Sequence, residues 1–179
     1  MNEVEVRFRK EFNQPNKRTK ALNGFVNHLL KNGHILEANY YLNKLLEIKP
    51  RHEKSLSLGY KIAIRMFDIK RVAFFDRQLI EIKAKDDLIM ALKLEYYCSR
   101  NHEQEMCICL SWFVEQKLIN QDYFELIIET SIILKKYELM EKLLKQMKKN
   151  GLGPSKTTEV VYKKIALEQL VKTLSLVHV

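Results

Sequence analysis

The densest set of residues able to do metal or thiol chemistry is Cys98, His102, Cys107 and Cys109. Three thiols and an imidazole are a zinc donor set by type. The spacing defeats them: residues two apart on a helix point in nearly opposite directions, so Cys107 and Cys109 cannot both close one tetrahedral site. Small buried thiols are the favoured reading. The chain has 3 Cys in all, an odd number crowded into one stretch, which argues against a disulfide framework. His28, His34, His52 and His178 are scattered without a carboxylate or nucleophile at fixed spacing. There is no glycine-rich phosphate loop, paired-histidine helix motif or serine elbow. These residues predict no catalytic group, no metal site and no cofactor, and so a protein that is not an enzyme.

What positions them is a repeat. Leu22, Leu56, Met90 and Phe124 recur at intervals of 34 residues, and so do Ala38, Val72, Met106 and Met140. The same register aligns Val26, Tyr60, Leu94 and Ile128, then Leu45, Leu79, Phe113 and Met147, without insertion or deletion. A period of this length marks a repeat of two short helices, each of which must stack on its neighbours to bury its apolar stripe. Composition agrees, since 5 Gly and 3 Pro in 179 residues supply too little turn chemistry for a sheet-rich fold. In the first repeat, helix A is predicted from about Lys20 to Lys31 and helix B from about Ile35 to Ile48, with Asn32-Gly33-His34 between them and Pro50 after. The equivalent turns fall at Phe67-Asp68, Arg100-Asn101-His102 and Lys135-Lys136-Tyr137.

Asn32-Gly33-His34-Ile35-Leu36-Glu37-Ala38 and Leu45-Leu46-Glu47-Ile48-Lys49-Pro50 resemble the turn and the close of a tetratricopeptide repeat. The resemblance covers roughly residues 19–151 and weakens toward the C-terminus. It implies an all-α, right-handed α-solenoid of about four helix-turn-helix repeats (19–52, 53–86, 87–120, 121–151). A capping helix from Thr157 or Thr158 to about Leu174 is expected within the segment 152–179. Residues 1–18 carry an N-terminal segment open to two readings: Val4, Val6 and Phe8 alternate as in a strand, whereas Val4, Phe8 and Phe12 share a helix face. Met147 to Pro154 is similar to the close of a pentatricopeptide repeat, an RNA-reading hairpin. An ordinary helix end with Gly151 in a left-handed conformation accounts for the same residues.

The tetratricopeptide resemblance implies a concave groove lined by helix A residues facing away from helix B. Carried over by position, these are Lys20, Asn23, Asn27 and Lys31, then Lys54, Ser57, Lys61 and Arg65, then Leu88, Ala91, Glu95 and Cys98, then Asp122, Glu125 and Glu129. The groove would run from basic to acidic and could take an acidic or extended polar peptide in one direction. Ordinary solvated helix faces are the alternative. Asn23 and Asn27 are similar to part of the clamp by which some members hold the acidic tails of chaperones. Leu58, Leu88 and Leu92 stand where that clamp needs cations, so this ligand is rejected. On helix B, Tyr40, Phe74 and Ile108, with Trp112 one turn beyond, occupy outward columns where polar residues belong, which predicts a convex apolar strip for a partner or for self-association. Burial of that strip, under the N-terminal segment or by rotation of the hairpins, is the competing reading.

Net charge is +9, with +3 in each of the first two repeats and −2 in the third. A basic half suits phosphate contacts as well as acidic peptides, but the aromatic residues mostly fall in apolar columns and offer few stacking platforms. The first reading is therefore a protein-binding scaffold, adaptor or chaperone-like module with a protein or peptide partner. The second is an RNA-binding helical repeat protein. No run approaches the roughly 20 apolar residues of a membrane span, and none of signal-peptide length lies in Met1 to Lys20, so a cytoplasmic protein is expected.

Overall fold

The computed structural model describes residues 3–116, 120–149 and 151, with Met147 described by its backbone alone. The expected capping helix lies outside these residues. Among them the chain is all-α, with nine α-helices: α1 (Glu3–Phe12), α2 (Pro15–Lys31), α3 (Ile35–Ile48), α4 (Glu53–Arg65), α5 (Ile69–Glu81), α6 (Asp86–Arg100), α7 (Glu103–Glu115), α8 (Phe124–Ile133) and α9 (Tyr137–Lys149). A single 3-10 turn, Gln121–Tyr123, leads into α8. None of these helices is long and apolar enough to cross a membrane. The chain divides into two compact units, Met1–Leu92 and Lys93–Val179.

The 34-residue register is written in the backbone. Gly33, Phe67, Asn101 and Lys135 all take a left-handed conformation, with φ of 79°, 56°, 54° and 54°. Each closes a helix in the same way. The amide one residue further on donates to a carbonyl five residues back, His34 to Leu29 at 2.9 Å, Asp68 to Ala63 at 3.0 Å, His102 to Tyr97 at 3.1 Å and Lys136 to Ser131 at 2.8 Å. The left-handed residue's own amide donates as well, Gly33 to Leu30, Phe67 to Ile64, Asn101 to Cys98 and Lys135 to Ile132 at 2.9–3.3 Å, and this two-bond closure satisfies carbonyls that the helix end leaves without partners. The next helix begins at once, and Asp68 caps α5 by accepting from the Arg71 amide at 3.0 Å. Gly151, with φ 70°, ends α9 in the left-handed conformation expected of a helix stop.

The apolar columns are the core. Ala38, Val72, Met106 and Met140 are all buried, as are Val26, Tyr60, Leu94 and Ile128. Leu45, Leu79 and Phe113 are fully enclosed, and in the first column Leu22, Leu56 and Phe124 are buried while Met90 is half-buried. Helices pack in sequence order: α1 on α2, α2 on α3, α3 on α4 and α4 on α5 in the first unit, and α7, α8 and α9 on one another in the second. Of the buried polar residues Ser55, Thr130 and Ser131, the Ser55 hydroxyl has no partner among the described residues and the other two bond locally. Thr130 donates to the Leu126 carbonyl at 2.7 Å and Ser131 to Ile127 at 2.8 Å.

The N-terminal segment, which the sequence leaves open between strand and helix, forms α1. Phe8 decides it. Its ring stacks on Phe25 with centroids 4.1 Å apart and meets the Tyr41 ring edge-on at 5.3 Å. Burying a phenylalanine contributes about 1.5–3 kcal/mol and each aromatic pair about 0.5–1.5 kcal/mol more, enough to hold a short helix against α2. Val4 and Phe12, on the same face, are half-buried, whereas Val6 points away and is exposed. α2 also starts earlier than Lys20, because Pro15 occupies the first helical turn, where its missing amide costs nothing.

Candidate binding groove

The first unit holds an open groove of about 560 Å³ between α1, α2 and α4. Its polar wall comes from two helices in the same register. Lys20, Asn23 and Asn27 of α2 stand at i, i+3 and i+7, on one face, and Lys54, Ser57 and Lys61 of α4 repeat them 34 residues later. α1 supplies the third wall with Arg7 and Glu11, joined by an ion pair at 2.9 Å. Val4, Phe8, Ala21, Gly24, Phe25 and Leu58 complete the lining.

The charge around this groove is lopsided. Four cations, Arg7, Lys20, Lys54 and Lys61, surround it against one carboxylate, Glu11, which Arg7 already engages. Among the described residues Lys20 and Lys54 have no carboxylate within ion-pair distance. Asn23 donates its amide to the Thr19 carbonyl at 3.0 Å and leaves its Oδ1 buried with no partner among the described residues. A buried acceptor without a donor costs about 1–3 kcal/mol.

Of the residues read from the sequence as groove positions, the structure brings Lys20, Asn23, Asn27, Lys54, Ser57 and Lys61 together. Lys31 and Arg65 are exposed near the C-terminal ends of their helices and do not line this groove. Glu95, Glu125 and Glu129 belong to the second unit, the first half-buried and the other two exposed. Sequence reasoning missed Arg7, Glu11 and Gly24. The face shared by Val4, Phe8 and Phe12 was the available signal for the α1 wall.

The outward aromatic column is exposed where it can be seen. In the first unit Tyr40 is 55% and Phe74 47% exposed, and α1 covers neither of them, since Phe8 goes to Phe25 and Tyr41 instead. The Lys44 ammonium lies 4.4 Å from the centre of the Tyr40 ring. In the second unit Ile108 is exposed, whereas Trp112 is half-buried with its ring edge-on to Phe113 at 5.1 Å. A second groove, of about 720 Å³, lies in this unit between α7 and α9. It carries Lys135, Lys136 and Lys142 beside Glu115, Glu138 and Glu141, and this balance of signs selects no charged ligand.

Two of the thiols, Cys98 and Cys109, are held as neutral groups. Burial pushes Cys109 up to about 11, and Cys98, also raised by burial, has its Sγ 3.3 Å from Thr130 Oγ1. Thiolate is the form that attacks or binds metal, and burial disfavours it at both positions. His102 is exposed and stacks on Tyr97. The described residues hold no group of three or more His, Cys, Asp or Glu placed to share a metal ion. No protein-family model, no curated protein and no solved structure matches the chain.

Proposed function

We propose that this chain is a non-enzymatic interaction module, a tetratricopeptide-like right-handed α-solenoid whose basic groove binds an acidic, extended segment of a partner protein. The observation that carries the reading is the convergence of Lys20, Lys54 and Lys61 on one groove that is apolar at its base. Complementary charge of this kind sets both the rate of encounter and the choice of partner. The 34-residue recurrence of left-handed turns supports the repeat architecture. RNA is the second class of ligand that a basic groove could hold. The groove's two aromatic rings, Phe8 and Phe25, are buried and stacked on each other, so neither offers a face on which a base could stack.

The test is a titration of a fluorescent glutamate-rich peptide, and in parallel of a single-stranded RNA, into the full chain and into the triple variant Lys20→Glu, Lys54→Glu, Lys61→Glu. Exchanging three attractions for three repulsions should weaken the peptide on the order of 100-fold while helicity is kept. Equal peptide affinity in the variant, or RNA binding more tightly than peptide to the parent, would reject the proposal.

A further inference from the structure

Gly24 sits in the interior of α2, where glycine is a poor choice, since it weakens a helix relative to alanine. Two structural needs ordinarily keep a glycine, a left-handed backbone or the close approach of another group. Gly33 and Gly151 meet the first, with φ of 79° and 70°. Gly59 meets the second, because a Cβ there would run into the Phe75 ring. Gly24 meets neither: its backbone is helical, and a Cβ built on it finds nothing within 4 Å among the described residues. It is exposed, and it lines the basic groove between Lys20 and Asn27 with Ala21 one turn before it. The missing side chain leaves open space at this point of the groove, whose lining also includes Phe8 and Leu58.

From this we infer that the Gly24 notch receives a single apolar side chain of the bound acidic segment, so that the ligand is an apolar residue flanked by carboxylates. The inference deepens the proposed function and rests on it. Charge alone would be satisfied by any acidic tract, and would leave a helix-weakening glycine without a role. A seated apolar side chain gives it one, and makes the groove selective among acidic segments.

The experiment compares two labelled peptides, Glu-Glu-Glu-Leu-Glu-Glu-Glu and the same peptide with Gly at its centre, against the full chain, Gly24→Ala and Gly24→Leu. The parent should prefer the leucine peptide by about tenfold or more, the gain from burying one leucine side chain. Gly24→Leu should abolish that preference, bringing the two peptides to equal affinity. Gly24→Ala should reduce the preference while raising the melting temperature, a combination that a purely structural role does not produce. Equal affinity of the two peptides for the parent, or an undiminished preference in Gly24→Leu, overturns the notch and leaves the acidic groove standing. Failure of both peptides to bind the parent overturns the proposed function, and the inference with it.

Discussion

Replacing Gly59 by alanine should destabilise the protein even though it improves the helix. Gly59 lies mid-helix in α4, so alanine there gains about 1 kcal/mol of intrinsic propensity. Against this, the new methyl would stand inside van der Waals contact of three atoms of the Phe75 ring, Cζ, Cε1 and Cε2. Phe75 is 2% exposed, so its ring cannot swing into solvent. Overpacking a tight core costs about 1–3 kcal/mol, and three simultaneous clashes with an enclosed ring put this site at the upper end. The net expectation is a loss of about 2 kcal/mol, a fall of about 4–8 °C in Tm for a chain of this size. Thermal melts followed by circular dichroism measure it, and the attribution is checked in a Phe75→Leu background. Leucine lacks the three atoms in question, so there Gly59→Ala should be neutral or stabilising, a coupling of about 2–3 kcal/mol between the two positions. A Gly59→Ala protein that melts at or above the parent, or one whose loss is the same with leucine at position 75, would refute the account.

Two further outcomes follow from local geometry. Phe67 is exposed in a left-handed turn at φ 56°, and Phe67→Gly should raise stability by about 1 kcal/mol by relieving that conformation; a lower melting temperature would mean the ring's contacts matter more than its backbone strain. Cys109 is raised from 9.0 to about 11 in the folded chain, so the native state holds its proton longer than the unfolded one. Stability should therefore fall as pH climbs from about 9 toward 11, and Cys109→Ala should show a shallower loss over that window.

The columns of apolar residues were legible because each occupies an enclosed position at a constant interval, and burial of Ala38, Val72, Met106 and Met140 is the physical content of that pattern. The turns were harder. Gly33 and, less strongly, Asn101 announce a left-handed residue by type, while Phe67 and Lys135 take the same conformation because the two closing hydrogen bonds hold it. Register located these turns where residue type could not. The candidate groove was half legible, since its α2 and α4 walls follow the repeat and its α1 wall does not. Lys31 and Arg65 share the face of Lys20 and Lys54 in projection, but they stand one turn beyond Asn27 and Lys61, the last residues of α2 and α4 in the lining.

Repeat geometry here is conserved by complementary volumes more than by identical residues. In the first hairpin Phe25 meets Tyr41 edge-on at 5.0 Å; at the equivalent positions of the second, Gly59 yields its space to Phe75. The pair is large against large in one hairpin and nothing against large in the other, and both cores close because each ring has somewhere to go. The same logic applies on the groove side, with the opposite result. Gly24 and Leu58 are equivalent by register, and both line the groove, one as an open notch and the other as an apolar surface 9% exposed. Among the described residues no side chain fills the space at Gly24 as Phe75 does at Gly59. A glycine whose space is filled from within serves the fold. A glycine whose space stays open beside four cations is the one the proposed ligand would use.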